Sequence, residues 1–550
     1  MLADGRGRFA LRLGVVSVLL AVGGVSSLLA AGPRALRPQT TTTSALVTSP
    51  APSVLVLRGH GWGHGLGLSQ WGAYGYAKHG WTYDRILGHY YTGTTLGSAK
   101  VTTVRVLLVE GKKATLDSVV AWAATDATGR KVALAPGTLV LKPKLVVPGK
   151  PLTPPLTFTS KQPLVVNGKP YRGKIRLTSD GKTLQVVDVV GLEAYLKGVV
   201  PAEMPSAWSS EALKAQAVAA RSYALANLAK GKDYDLYADT RSQVYGGLDA
   251  EVPATNDAVD ATKGEVVLYD GKVADTLFFS TSGGRTASAA EATGTGIPYL
   301  VSVVDPYDTA SPYHDWGPVL FDATKVAKQL KLSAPLADLQ TTTGPSGRAK
   351  SVTALTADDR QVTVTASQLR TLLELRSTWF TPALLQLLPK AKTMSYGGAL
   401  SLTGRARGVD QVSLEAKPFG LDWAPVGDLL LDATGAFSTI VHPQIATQYR
   451  LVWGEVRAGL AKIAVAVRVD ATVQQGTATG TTKPVVAAAP VQLQWSADGA
   501  TGWQTVASST TDDTGAFSLS AASPETAGGY RVRVAPGHGL APGLSKTACC

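Results

Sequence analysis

Apolar positions change their spacing along the chain, and each change marks an element. Leu13 to Ala31 is a nearly unbroken apolar run behind Arg6, Arg8 and Arg12. That is the charged head and apolar body of an export signal, and it is just long enough to stay as an uncleaved membrane anchor. Residues 1–31 are therefore read as signal peptide or anchor. Residues 32–52, rich in Thr, Ser and Pro, are read as a linker. Val54-Leu55-Val56-Leu57-Arg58 reads as a short strand. Gln70 to Lys78 reads as a helix, and Ile86 to Tyr91 as a second short helix or turn. From 101 to 190, short runs such as Val104-Arg105-Val106-Leu107-Leu108-Val109 and Leu184-Gln185-Val186-Val187 alternate with turn residues, which predicts β-rich structure. The period then switches. From Glu211 the chain runs Glu-Ala-Leu-Lys-Ala-Gln-Ala-Val-Ala-Ala-Arg-Ser-Tyr-Ala-Leu, without Gly or Pro. This predicts a helix from Ser210 to roughly Leu228, capped by Ser209 or Ser210, with Glu211 at its positive end. Leu213, Ala217, Ala220 and Ala224 form a small apolar stripe suited to close packing.

The tail repeats itself. Trp423, Gly435, Ala436, Phe437, Tyr449 and Arg450 recur as Trp503, Gly515, Ala516, Phe517, Tyr530 and Arg531, an offset of about 80 residues. Short alternating runs lie between these marks, so residues 393–470 and 471–550 are read as tandem β-sandwiches of immunoglobulin-like type. The only cysteines, Cys549 and Cys550, are adjacent and cannot staple a core.

At 550 residues the chain has room for several domains, and its net charge of +13 favours an acidic partner. No Lys/Arg stripe with interleaved aromatics accompanies that charge, so nucleic acid is not the expected partner. An anionic cell wall or membrane surface fits diffuse positive charge equally well.

The candidate chemistry centres on Val199-Val200-Pro201-Ala202-Glu203-Met204-Pro205. Two prolines restrict the backbone on either side of one carboxylate, which predicts Glu203 on a stiff loop. Lys214 and Arg221, two turns apart on the following helix, fall nearly on one line. They are expected to face an anionic or polyhydroxylated ligand. Gly59 to Ala73 adds alternating glycines that permit close backbone approach, Trp62 as a flat platform, and His64, Ser69 and Gln70 as hydrogen-bonding groups. His60 and His64 have helical metal-ligand spacing, but the glycines between them argue against a helix, so no metal and no cofactor is expected. Gln243, Tyr245 and the Ser/Gly turn at Ser282 complete the candidate set.

These stretches resemble the SpoIID/LytB family of bacterial cell-wall proteins. The resemblance rests on Tyr195 to Pro205 and Glu211 to Arg221. It also rests on Ser282-Gly283-Gly284 with Ser346-Gly347-Arg348 and Leu375 to Phe380, and on Gly61 to Gln70 continuing to Thr94. It implies an α+β fold: a β-rich core at 161–385 around the alanine-rich helix, with 99–160 as an accessory β segment. In the family the Gly-Trp-Gly-His-Gly block usually follows the Ser-Thr-Trp-Phe stretch, whereas here it precedes everything. Residues 53–98 are therefore read as a permuted piece of the same domain. The resemblance implies peptidoglycan glycan strands as substrate, lytic transglycosylation as reaction and Glu203 as general acid/base. Lys214, Arg221, Gln243, Tyr245, Ser282, Trp62, His64, Ser69 and Gln70 are then assigned to substrate. It further implies an exported, wall-located protein. The alternatives are a non-catalytic wall-binding module that enhances a partner amidase, and a structural or adhesive surface protein.

Overall fold

The structure is a computed structural model that describes residues 46–100, 102–147, 149–522 and 527–549. The expected signal or anchor lies outside the described residues. Among those described, no helix is long and apolar enough to cross a membrane.

The strand Ser53–His60 organises the middle of the molecule. It pairs antiparallel with Asp315–Asp322 on one side and with Phe380–Pro389 on the other. The sheet continues through Leu400–Arg407 to Ala436–Val441. The unbroken run Val54-Leu55-Val56-Leu57 suits a strand covered on both faces. Leu55 and Leu57 enter one core with Trp316, Phe380, Leu369 and Leu384. Val54 and Val56 enter a second core with Leu385, Leu387, Leu414 and Tyr449. A strand from the start of the described chain is thus inserted beside the strand that follows Ser377-Thr378-Trp379.

The alanine-rich helix spans Ser210–Ala226, slightly short of the expected end. Its small residues are buried around most of the circumference, not along one stripe. It packs in the largest core with the helices Gln70–Lys78, Tyr83–Tyr90 and Leu192–Glu203. The same core is floored by a seven-stranded sheet in which Thr103–Gly111 lies beside Leu184–Gly191. Strands from the segment read as accessory therefore sit inside the sheet of the central region.

The tail repeats in three dimensions as it does in sequence. Arg450 stacks on Trp423 and Arg531 on Trp503, each with the guanidinium carbon 3.9 Å from the ring centre. In both copies an aspartate, Asp432 or Asp512, accepts backbone N–H groups from the Thr and Ala of the Thr-Gly-Ala turn. The second copy closes two sheets over a core containing Val491, Phe517 and Tyr530. The first copy is not a separate body, because Leu400–Arg407 and Ala436–Val441 extend the sheet of the central strand.

Two-sided burial makes this strand a costly place to lose volume. Leu57→Ala, at a fully buried site, should lower unfolding stability by about 2–5 kcal/mol. Leu430→Ala, at a side chain that is 93% exposed, should change it by less than about 0.5 kcal/mol. Equal midpoints for the two variants in urea unfolding would contradict this placement.

Candidate active site at Glu203

Glu203 is the last residue of the helix Leu192–Glu203, not a loop residue. Pro201 is accommodated in the final turn, and the chain becomes extended at Met204. The prolines therefore set where the helix stops, and the carboxylate is presented at its end. Gly198 brings the opposing loop close. A Cβ there would stand 2.6 Å from the Tyr245 ring, and the Gly198 carbonyl accepts the Gly246 N–H at 3.0 Å.

Glu203 is half-buried. Desolvation pushes its carboxyl up to about 7, opposed by hydrogen bonds from the Gln70 amide and the Val244 backbone N–H. The Gln70 Nε2 donates to Oε2 at 3.3 Å. Asp188 and Asp305 are also pushed up to about 7, but both are fully buried. Glu203 differs in being only half-buried. A carboxyl near 7 exchanges its proton readily in both directions at neutral pH.

Gln70 opens the helix Gln70–Lys78, and Ser69 caps it by accepting the Gly72 N–H at 3.1 Å. The Ser69 Oγ also accepts the Ser282 N–H at 3.2 Å. Ser282 in turn donates to Asp308 at 2.8 Å. Ser69 and Ser282 are fully buried, so both act by holding the helix start that carries Gln70. Trp62 is half-exposed, its ring edge-on to Tyr313 at 4.4 Å with Arg376 nearby. The rings of Trp71, Tyr74 and Trp208 cluster next in sequence to Gln70 and just past Pro205, with centroids 4.7–5.9 Å apart.

Several expected ligand groups are structural. Arg221 is fully buried, and its guanidinium donates to Glu193 at 3.0 and 2.6 Å and to the carbonyls of Glu265 and Val259. It clamps neighbouring elements onto the helix and, fully buried, is not open to a substrate. Lys214 pairs with Glu211 at 2.7 Å, while Glu211 also accepts the Tyr83 N–H at 2.8 Å. That pairing docks the Tyr83–Tyr90 helix. His64 is held on the carbonyl of Phe278 at 3.0 Å and accepts the Leu66 N–H at Nδ1. Desolvation pushes it down to about 4, so it is neutral, with its proton on Nε2. Tyr245 is buried and donates to Asp188 at 2.9 Å, and Gln243 is buried with its Nε2 on the Ala220 carbonyl at 3.2 Å.

Sequence reasoning passed over Gln216. It lies fully buried on the alanine-rich helix, and neither amide atom meets a partner among the described residues. The signal was available, since Gln216 is a lone uncharged polar residue in Ala215-Gln216-Ala217-Val218-Ala219-Ala220. Among the described residues no group of three or more His, Cys, Asp or Glu could hold a metal ion.

Fold and site together define an α+β protein with one accessible, protonatable carboxylate at a helix end, faced by a glycine-rich loop and its following helix. Residues 180–269, which hold Glu203 and the alanine-rich helix, match the model of the SpoIID family, described as stage II sporulation protein. An uncharacterised protein of Brachyspira hyodysenteriae is 39% identical over 156 residues, 26% of this chain and 42% of that protein. The amidase enhancer of Bacillus subtilis is 40% identical over 141 residues, 26% of this chain and 19% of that protein. Stage II sporulation protein D of the same organism is 33% identical over 145 residues, 23% of this chain and 42% of that protein. The chain thus spans less than half the length of these relatives.

The titration of Glu203 has a thermodynamic consequence. Its folded value, about 7, lies above the reference 4.5. The folded protein therefore binds this proton more tightly, and that contribution is fully present below pH 4.5 and lost as pH rises through about 7. Glu203→Gln, which cannot ionise, should be more stable than wild type at pH 8, by up to about 3 kcal/mol. The two proteins should converge below about pH 4, as thermal melts at both pH values will register. Arg221→Ala should instead destabilise by roughly 3 kcal/mol at either pH, because Glu193 loses its partner. Glycan binding per folded molecule should stay unchanged, and a selective loss of binding would restore Arg221 as a ligand group.

Proposed function

We propose that this protein cleaves peptidoglycan glycan strands at the wall by lytic transglycosylation, with Glu203 as the single acid/base. The observation that carries this reading is the half-buried carboxyl raised to about 7 within the segment that matches the SpoIID family. Protonated Glu203 donates to the glycosidic oxygen as the C1–O bond breaks. The C6 hydroxyl of the same muramyl sugar attacks C1 and returns its proton to Glu203. One C–O bond breaks, one forms and no water is consumed, so the product carries a 1,6-anhydro ring. The nucleophile belongs to the substrate, which supplies proximity without a second carboxylate. Glycosidases that activate water or form a covalent intermediate use two. Gln70 orients Glu203, and the ring surfaces of Trp62 and Trp71 suit sugar faces. In this reading the chain is exported, and the tail units serve as immunoglobulin-like spacers.

A second reading has its own support. The relative named amidase enhancer favours a wall-binding module that stimulates a partner amidase. One digestion separates the two. Wild type and Glu203→Gln are incubated with intact sacculi and with peptide-stripped glycan, and anhydro-muramyl ends are counted. The expected result is release by wild type and a loss of about a hundredfold or more in the variant, with binding retained. Equal release from both proteins would sink the assignment to Glu203. No release from either, together with faster amidase turnover, would establish the binding module.

A further inference from the structure

The first tail unit contains a cavity of about 430 Å³ that the reading of Glu203 leaves unused. Lys392, Lys417 and Lys462 stand in its wall, with Pro418, Phe419, Ala446 and Ile463 as apolar lining. No carboxylate lines it. Lys417, Gln448 and Lys462 lie directly opposite one another on three neighbouring strands, so their side chains share one face. Strand spacing roots the two lysines about 10 Å apart. Lys392 joins them because its carbonyl accepts the Ala464 N–H at 2.8 Å.

The rest of this unit treats cations differently. Arg450 and Arg457 both pair with Glu415, and Arg407 pairs with Asp338. The three lysines form no ion pair among the described residues. Like charges gathered without a counter-charge raise the local positive potential and favour an anion from outside. The cavity is also braced. The Ala446 N–H donates to the Gly539 carbonyl at 2.8 Å, across the junction between the tail units. At Gly539, with φ of +82°, an added Cβ would stand 2.6 Å from the Phe419 ring. Phe419 is thereby backed by the second unit while 58% exposed.

We propose that this cavity binds a phosphodiester-linked polyol or sugar polymer. Ammonium groups on separate flexible stems act as point charges, which suits single negative charges spaced along a chain. No arginine is present to offer the planar fork that pairs two-to-two with a carboxylate. Phe419 and Pro418 supply surface for the C–H faces of polyol units, and the Gln448 amide supplies a hydroxyl partner. The inference is independent of whether Glu203 is catalytic. It replaces attraction by diffuse charge with attraction at one place.

The test is a calorimetric titration of the full chain with soluble poly(glycerol phosphate) at low and physiological salt. Lys417→Ala combined with Lys462→Ala should weaken binding about tenfold or more and flatten its salt dependence, with the melting temperature unchanged. Lys112→Ala combined with Lys113→Ala, at two exposed residues outside the cavity, should change affinity less than about twofold. Equal losses from the two pairs would mean diffuse attraction and would overturn the site. Polyglutamate binding as tightly as poly(glycerol phosphate), with the same sensitivity to Lys417 and Lys462, would overturn the phosphodiester assignment.

Discussion

The two-sided burial of Ser53–His60 is the constraint on which the rest of the structure depends. Its alternate side chains close two different cores, and its backbone fills the gap between Asp315–Asp322 and Phe380–Pro389. Without it, each neighbour would present an open edge, and one core would lose Leu55 and Leu57 while the other lost Val54 and Val56. The strand also ends at the Gly-rich block. Gly61 donates to the His314 carbonyl and Trp62 exchanges backbone hydrogen bonds with Thr281, so the block is tied down as soon as the strand is paired. Ser69 and Gln70 follow, and Gln70 reaches Glu203. Folding of this strand and geometry of the carboxylate are one connected problem.

The site itself is a balance between burial and hydrogen bonding. Burial alone would hold Glu203 protonated, and N–H donors alone would hold it ionised. The structure applies both, with burial dominant, and the carboxyl comes to rest near 7. Asp188 and Asp305 show that burial of the same strength occurs elsewhere in the core. What separates Glu203 is its place at the end of a helix, where the residue stays partly exposed. Arg221 and Lys214 are spent on neighbouring carboxylates, so their charges do not draw Glu203 back toward ionisation through direct contact.

Local pattern carried much of the architecture. Ala and Leu in a stretch free of Gly and Pro marked the central helix to within a few residues of its end, because propensity there agrees with packing. The repeated Trp, Phe, Tyr and Arg marks foretold a duplicated tail, and the structure shows the same cation–ring stacking in each copy. The tail's separateness was misjudged, because a sheet that continues from Phe380–Pro389 into Leu400–Arg407 is a long-range pairing with no signature in either strand. The same limit explains Arg221. A cation on a helical line with Lys214 looks like half of a ligand site until Glu193, remote in sequence, is seen to occupy it.

The sequence by itself determined the presence of a pinned carboxylate, a close-packed small-residue helix, a glycine-rich approach and a duplicated β tail. These follow from φ restriction, side-chain size and periodicity, which act over a few residues. Tertiary structure alone decided which polar residues remain open to a ligand. It paired Arg221, Lys214, Tyr245 and Ser282 internally, neutralised His64, and left Glu203 half-buried beside Gln70. The reason is physical: desolvation and hydrogen-bond satisfaction depend on which distant groups arrive at the same place, and residue order does not state that.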